Sequence, residues 1–571
     1  MDRLIPGFIL FVGLSSVGLC AAAVAQSGEE TPSYKRVAEV SESTQGSTYI
    51  PLDSWIYPAA VRLYELGYLP TAYLGMRPWT RGSLVHMLAL SDEAIREGSN
   101  EEAQEILGRL NRELAPEIAG DSTNMAVPES LYFRTTGIGG ATLNDSYHLG
   151  QTVVNDYGRP FQPGFNAIAG YSARAYSGRF SLYVRGEYQY SPAATGYSTA
   201  AAQTLASLDR MTYIDPSLVP YGPIPARNQV RLLEANASMR LAGHEISFGK
   251  SDAWLSSAAG ASMGWSNNAE NIYGFRINRV EPLHIPGLSR ITGLFRYDFF
   301  VGSLKGHVDP NAPWVHMEKI SFKPTPDLEF GFMRSVIWGG KGHVPITIGT
   351  FLRSFFSTTG VDPAVKYSRD DPGARFSTFD FTWRIPWRQH LVTVYTDSLA
   401  HDNVFPVSNP ARSGLRPGVY IARLPAMPHV DFRIEGVSTD PQDPGSSRGE
   451  LLYFESVQKQ GYTNRNFIIG DWIGRQGKGG QSWITWNRSA DQSFQLEYRM
   501  AKVASDFIPG GTTQQQISAN ALVRFHRDFE LRGTLQGELW RAPIIATGTQ
   551  HNVLGSIQIT YFPHWQRHIK N

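Results

Sequence analysis

The chain has 571 residues, of which 42% are hydrophobic and 18% are charged, and its formal net charge at pH 7 is +1. A near-neutral chain lacks the basic surface that binds nucleic acid, so nucleic acid is excluded as a partner. The single cysteine, Cys20, excludes a disulfide scaffold and a cysteine metal site. Beyond the N-terminal segment no apolar run reaches the roughly 18 residues that a membrane-spanning helix needs.

Residues 1–25 predict a secretory signal peptide, because an apolar stretch is followed by Ala-Val-Ala ending at Ala25. Cleavage there would remove Cys20 and leave a mature chain without a thiol. Lipidation of Cys20 is the alternative, but Leu19 stands where a small residue is expected. The next residues, 26–48, are polar and predict a flexible leader.

Residues 49–120 have apolar residues at helical spacing and predict a small helical domain. The predicted boundaries are an Asp53-Ser54 cap and a Gly67 stop for the first helix, a Thr80 cap for the second and an Asn100 cap for the third. A domain of about 70 residues is marginally stable alone. We therefore expect it to pack against the rest of the chain or a partner.

From residue 131 to residue 562, two-residue alternation replaces helical spacing. The pattern is clearest in Gln516–Trp540, where two runs flank the turn His526–Asp528. Successive side chains of a strand point to opposite faces, so each run has one apolar and one polar face. Each run is about ten residues long, the length at which a tilted strand crosses the hydrocarbon layer.

The same alternation recurs along the chain, with apolar sets in Phe180–Tyr190, Leu233–Leu241, Phe379–Trp383, Val430–Ile434, Phe494–Met500 and Val553–Tyr561. A soluble sandwich would also alternate, but Arg, Glu and Gln on the second face of strand after strand favour a polar lumen. We therefore predict an all-β transmembrane barrel of about 18 antiparallel strands, embedded in lipid. It would span residues 131–562, follow the small α-helical domain and precede a C-terminal tail, residues 563–571.

The connections divide into two kinds. Tight turns are predicted at Ser177-Gly178, which would pair Ala175 with Phe180, and at Ala242-Gly243. Long loops are predicted at 191–228, 305–316, 338–346, 401–429 and 438–448. Tight turns are typical of the periplasmic rim of such barrels, and long loops of the outer rim.

Seven short motifs carry a family resemblance. They are Ile50–Trp55, Leu66–Tyr68 and Arg77–Arg81 in the helical part, and Phe248–Trp254, Ser266–Glu270, Phe322–Pro326 and Gly461–Asn464 in the barrel. In order and spacing they resemble the Wzi-type capsule-assembly proteins of the bacterial outer membrane. The resemblance implies an eighteen-stranded barrel with a periplasmic helical bundle against its lower end, acting as an outer-membrane lectin that holds capsular polysaccharide at the cell surface.

The segment Asp53–Leu90 also resembles a surface-layer-homology module. That second resemblance implies binding to a cell-wall polymer such as peptidoglycan. A plain structural plug is the alternative for the same segment.

A polysaccharide site needs aromatic faces for sugar C–H surfaces and planar polar groups for hydroxyls and acidic sugars. Eight residues around the densest motifs have this chemistry: Lys250, Asp252, Trp254, Trp265, Asn267, Asn268, Arg296 and Trp338. The alternative makes the tryptophans part of an aromatic girdle and the charged residues part of a luminal network.

No motif predicts an enzyme, a cofactor or a metal site. Gly445–Gly449 has the spacing of a nucleophile elbow but lies in a Pro-rich loop, and Asp370-Asp371 lacks the spaced oxygen ligands of a calcium loop. The first hypothesis is therefore a non-catalytic, polysaccharide-binding outer-membrane barrel. The alternatives are a carbohydrate-permeable porin tethered to the cell wall through the helical domain, and an outer-membrane hydrolase.

Overall fold

The computed structural model describes a large part of the chain. The described residues are 44–120, 124–216, 218–357, 362, 364–366, 368–386, 391–402, 406–442, 449–504, 506–563 and 567–568. The predicted signal peptide with Cys20, most of the predicted leader and most of the C-terminal tail lie outside them, as do residues 445–448 of the elbow-like segment.

Four helices form the N-terminal domain: α1 Ile56–Glu65, α2 Arg81–Glu97, α3 Glu101–Glu113 and α4 Ala115–Ile118. Three further helices lie in later connections: α5 Thr199–Leu208, α6 Ser289–Thr292 and α7 Ile348–Phe356. The predicted caps of α2 and α3 are confirmed, because Thr80 accepts a hydrogen bond from the Ser83 amide and Asn100 from the Ala103 amide.

The predicted Asp53-Ser54 cap of α1 is wrong. Trp55 occupies the cap position, and the helix begins at Ile56. The Asp53 carboxylate instead accepts from the Arg185 guanidinium on the barrel wall at 2.7 Å. Local sequence could not distinguish these roles, because the competing partner is 132 residues away.

In the described part of the chain, eighteen antiparallel strands close into a barrel, as predicted, and the two-residue strand Arg567–His568 pairs with the first of them. They are β1 Asn124–Gly140, β2 Gly164–Ser177, β3 Phe180–Ser191, β4 Arg227–Leu241, β5 His244–Lys250, β6 Gly274–Arg279, β7 Leu294–Ser303, β8 Trp314–Thr325, β9 Leu328–Trp338, β10 Ala374–Arg384, β11 Val392–His401, β12 Gly414–Ile421, β13 Val430–Ser438, β14 Gly477–Ser489, β15 Gln492–Val503, β16 Thr512–Phe525, β17 Phe529–Arg541 and β18 Gln550–Tyr561. Strand β1 pairs with both β2 and β18, which closes the wall.

The β16–β17 hairpin has the predicted register, with Phe525 opposite Phe529 across the three-residue turn. Its apolar side chains face outward: Ile517 is 54% exposed and Leu535 62% exposed. Its polar side chains face the lumen, where Gln516 and Glu530 are buried. The exposed apolar belt and buried polar interior are the arrangement that a lipid surround requires.

Two local predictions in the wall are wrong. The turn between β2 and β3 is Gly178-Arg179, because Ser177 pairs with Phe180; glycine adopts the φ of +55° at the first turn position. Leu233 does not face outward with its neighbours, because the β3–β4 register shifts there and buries it completely. A β-bulge of this kind reverses side-chain parity without leaving a signal in the alternation.

The connections at one end of the barrel are mostly tight turns, apart from residues 280–293, and those at the other end are mostly longer segments. Ala242-Gly243 is confirmed as a turn, because Leu241 pairs with His244. The predicted single loop 401–429 is wrong, because it contains strand β12. Pro417 of this strand has no backbone N–H, and the β12–β13 ladder contains no pair at that position.

The helical domain lies across the short-turn end of the barrel. Its apolar core also contacts Ala490 and Leu522 of the β14–β16 region. Arg109 of α3 donates to Asp491 at 2.9 Å. Ser47 and Thr48, at the end of the predicted leader, are buried in this contact region. Among the described residues, no helix has the length and hydropathy to cross a bilayer.

Leu535→Arg tests the lipid-facing assignment. Leu535 lies midway along β17, so a guanidinium there should destabilise the barrel by about 2–4 kcal/mol, whereas the cost near an interface is about 0–1 kcal/mol. The matched variant is Leu539→Arg, which lies closer to the strand end. Denaturant titration of the barrel in lipid vesicles measures both. Equal effects at the two positions would contradict the assignment.

Candidate functional site in the luminal plug and its cap

Three connections at the long-loop end, within residues 141–163, 251–273 and 449–476, fold back into the barrel. Their apolar side chains form one buried cluster with luminal residues of the wall. The cluster includes Leu143, Met263, Trp265, Tyr453, Tyr462 and Trp472. We call these three segments the plug.

A buried ionic network joins the plug to the wall. Arg416 of β12 lies 2.6 Å from the Asp471 carboxylate of the plug and 2.8 Å from the Glu435 carboxylate of β13. Glu435 also accepts hydrogen bonds from the amides of Ala259 and Gly260, in a second plug segment. Removing one partner of a buried ion pair typically costs about 3–5 kcal/mol. Arg416 therefore fixes two plug segments at once.

The eight sequence-predicted residues are all buried, each less than one-tenth exposed. Lys250 pairs with Glu270, and Asp252 accepts from the Leu52 amide at 2.8 Å. Arg296 donates to the Arg279 carbonyl at 2.9 Å.

The other five are equally enclosed, with contacts to protein groups. Trp254 donates to the Ala258 carbonyl, and Asn268 donates to the Ile468 carbonyl. The Trp265 ring packs on Phe300, and the Trp338 ring packs on His316. Asn267 is 8% exposed. The structure brings seven of them to the lumen and separates Trp338, which alternates with luminal Ile337 and faces outward. The role of all eight in polysaccharide binding stays a prediction, while the contacts of the seven luminal residues hold the plug and the helical domain.

A second buried network links the plug to α5. His148 lies between two carboxylates, with Nδ1 2.9 Å from Asp145 and Nε2 2.6 Å from Asp209. Asp209 also pairs with Arg475 at 2.6 Å. Burial by itself would lower the pKa of His148, but the two carboxylates outweigh it and raise the pKa to about 9. Sequence reasoning missed this group, because His148 and Asp209 are 61 residues apart.

Above the plug, the connections form an exposed cap. Tyr213 is 50% exposed and lies within electrostatic reach of Asp309 and Lys459, which pair at 2.7 Å. Arg210 and Glu450 form a second pair at 2.7 Å, with both side chains about half exposed. An exposed ring beside accessible ionic groups has the chemistry to bind a sugar. The cap was not predicted, because its residues come from three separate connections.

Cavities lie between the packed parts of the described chain. One of about 590 Å³ lies between the helical domain and the wall, and is lined by eight arginines and five acidic residues. Another, of about 260 Å³, lies between the plug and strands β1, β2 and β15–β18, and is lined mainly by hydroxyl, amide and charged groups. In the part of the chain that the structure describes, no group of three or more His, Cys, Asp or Glu could hold a metal ion.

Comparison with known proteins decides the family. The family model described as capsule assembly protein Wzi matches residues 134–554. The chain belongs to this family. This Wzi-family chain is accordingly an outer-membrane β-barrel protein, as the sequence resemblance implied. A comparison with curated proteins gives no match.

A solved structure agrees on the fold. An Escherichia coli structure is described as Wzi, an outer-membrane protein involved in group 1 capsule assembly and a carbohydrate-binding β-barrel; it is 16% identical, with a TM-score of 0.63, over 90% of this chain and 99% of that one. Pseudomonas aeruginosa OpdQ is 11% identical, with a TM-score of 0.39, over 77% of this chain and 98% of that one. Likeness at these identities concerns the fold alone.

Arg416→Ala tests whether the plug closes the Wzi-family barrel. The unmodified protein should pass little current in a planar bilayer, because the plug fills the lumen. Arg416→Ala leaves Asp471 and Glu435 without their shared cation and should raise open-channel events. Arg210→Ala is the matched control, since it removes a guanidinium from an exposed pair. High, stable conductance of the unmodified protein would instead indicate an open pore.

His148 makes the attachment of α5 dependent on pH. Its folded-state pKa lies above the ordinary value of 6.5, so its stabilising contribution is fully present below about pH 6.5 and is lost as the pH rises through about 9. We expect amide hydrogen exchange in α5, corrected for intrinsic rates, to accelerate across that rise. His148→Gln should remove the pH dependence, and α3 serves as the internal control. Unchanged protection of α5 up to pH 10 would contradict this role.

Proposed function

We propose that this Wzi-family barrel binds capsular or another surface polysaccharide at the cell surface and acts without catalysis. The cap would face outward, and the helical domain would lie in the periplasm. This orientation follows the general rule that outer-membrane barrels have short periplasmic turns and longer extracellular loops.

The observation that carries the proposal is the buried Arg416 network. A plug that is joined to the wall by completely buried ion pairs leaves little room for a solute to pass, whereas it supports a fixed outer surface. Binding at a rigid surface avoids the entropy cost of ordering flexible loops. The plug thus favours retention of a polymer over its transport, and gives the porin hypothesis little support.

The cap supplies the binding groups in this proposal. The Tyr213 ring offers an apolar face to sugar C–H groups, and the Asp309–Lys459 pair offers an acceptor and a donor for hydroxyl or carboxylate groups. The seven luminal residues among the eight would act indirectly, by keeping the plug in place.

Binding of the helical domain to peptidoglycan has weaker support. The motif Arg77–Arg81, which lies within the Asp53–Leu90 segment that suggested it, is turned inward: Trp79 is completely buried, and Arg81 pairs with Glu117 at 2.5 Å. In this proposal the domain supports the barrel from below, through contacts such as Arg109–Asp491.

Retention of polysaccharide by intact cells tests the proposal. Deleting the gene should lower the cell-associated polysaccharide and raise the shed fraction. Unchanged retention would argue against a role in the capsule.

The purified protein tests the cap assignment. Tyr213→Ala should weaken binding to the polysaccharide of the same organism by about 2–13-fold, because an aromatic contact contributes about 0.5–1.5 kcal/mol. Tyr213→Phe keeps the ring and is the matched control, with little expected change. If deletion impairs retention but Tyr213→Ala binds normally, the polysaccharide site lies elsewhere on the protein.

A further inference from the structure

The connection between β9 and β10 carries α7, which begins after Thr347, whose hydroxyl accepts a hydrogen bond from the Thr350 amide at 3.2 Å. The side of the wall on which this helix lies follows from which side chains of the neighbouring strands face the lumen and which face outward. On β8, Lys319 and Lys323 are completely buried in the lumen. Because side chains alternate along a strand, His316 and Glu318 point to the outside of the barrel.

Helix α7 lies against this outside face. The His316 ring nitrogen Nε2 is 2.7 Å from the Ser354 hydroxyl oxygen. Arg334, on the outward face of β9, donates to the Ser354 carbonyl at 3.2 Å. The Phe351 ring packs edge-on against Phe299, an outward residue of β7, with 5.9 Å between centroids. The helix therefore covers a polar patch on the outer wall.

The opposite side of α7 is apolar and exposed. Ile348, Leu352 and Phe356 recur at every fourth residue, which places them in one stripe, and they are 80%, 45% and 70% exposed. Arg353 lies beside the stripe and pairs with Asp370. A nine-residue helix thus has three faces: one on the wall, one apolar and one charged.

The apolar stripe continues the lipid-facing surface of the barrel. On the same strand as His316, toward the middle of the wall, the outward residue Ile320 is 52% exposed. His316 lies near the end of β8 at the long-loop rim, where the hydrocarbon layer meets the headgroups. A helix pressed flat against the wall at this level meets lipid on its free side.

We propose that α7 is an interfacial membrane helix. Its Ile348–Leu352–Phe356 stripe inserts among the outer-leaflet acyl chains next to the headgroups, and Arg353 remains in the polar layer. Amphipathic helices that lie in a membrane surface bury their apolar face by about 5–10 Å. In this position α7 also separates His316, Glu318 and Arg334 from lipid, which would otherwise meet polar side chains on the outer wall.

Depth-dependent quenching tests this proposal. Single-cysteine variants Leu352→Cys and Arg353→Cys, each in the processed chain or with Cys20→Ser, carry an environment-sensitive fluorophore and are reconstituted into phosphatidylcholine vesicles. Lipids brominated close to the headgroup should quench the label at position 352 at least about twofold more than the label at 353, and more than lipids brominated deep in the chain. Equal quenching at the two positions would overturn the proposal.

The same experiment distinguishes lipid from protein as the occupant. If a second copy of the chain covered the stripe, the label at 352 would have blue-shifted emission but resist every brominated lipid, which would also overturn the proposal. A second measurement avoids the label. Leu352→Glu should accelerate amide exchange of residues 348–356 in vesicles, whereas Arg353→Glu should not; equal exchange in both variants would count against membrane insertion.

Discussion

The structure depends on one constraint. One face of the wall contacts lipid, so the charged side chains on its luminal face must find their ionic or hydrogen-bonding partners inside the barrel. Arg416 meets this requirement by pairing with one carboxylate from the wall and one from the plug. Lys250 pairs with Glu270 of the plug, and Arg185 pairs with Asp53 of the helical domain. Because isolated buried charges are costly, the plug and the helical domain are part of how the barrel is stabilised.

This constraint also shapes the functional surface. Plug segments that must neutralise the wall have little freedom to move aside, and the connections above them form a stable cap. The ionic groups of the lumen and of the cap therefore differ in role. Pairs such as Arg416–Asp471 are completely buried and structural, whereas Arg210–Glu450 is half exposed and available to a ligand. Exposure, more than residue type, separates the two.

The outer wall follows the same rule from the other side. Most outward residues are apolar, but His316 and Arg334 are not, and α7 covers both. A polar patch facing lipid needs a partner just as a luminal charge does. Helix α7, in the connection between β9 and β10, supplies that partner. It turns the apolar Ile348–Leu352–Phe356 stripe outward where the polar patch would otherwise be exposed.

The sequence by itself determined the barrel, its approximate strand number and two of the three predicted hairpin turns, because two-residue alternation reports directly which face each side chain occupies. The family motifs and the caps at Thr80 and Asn100 were also readable, since each depends on neighbouring residues. Only the tertiary structure decided the bulge at Leu233, the partner of Asp53 and the networks around Arg416 and His148. Their partners lie far apart in the chain and meet only when the barrel closes. Burial of the eight predicted residues was hidden for the same reason: a sequence shows the chemistry of a side chain, whereas its exposure depends on everything that packs around it.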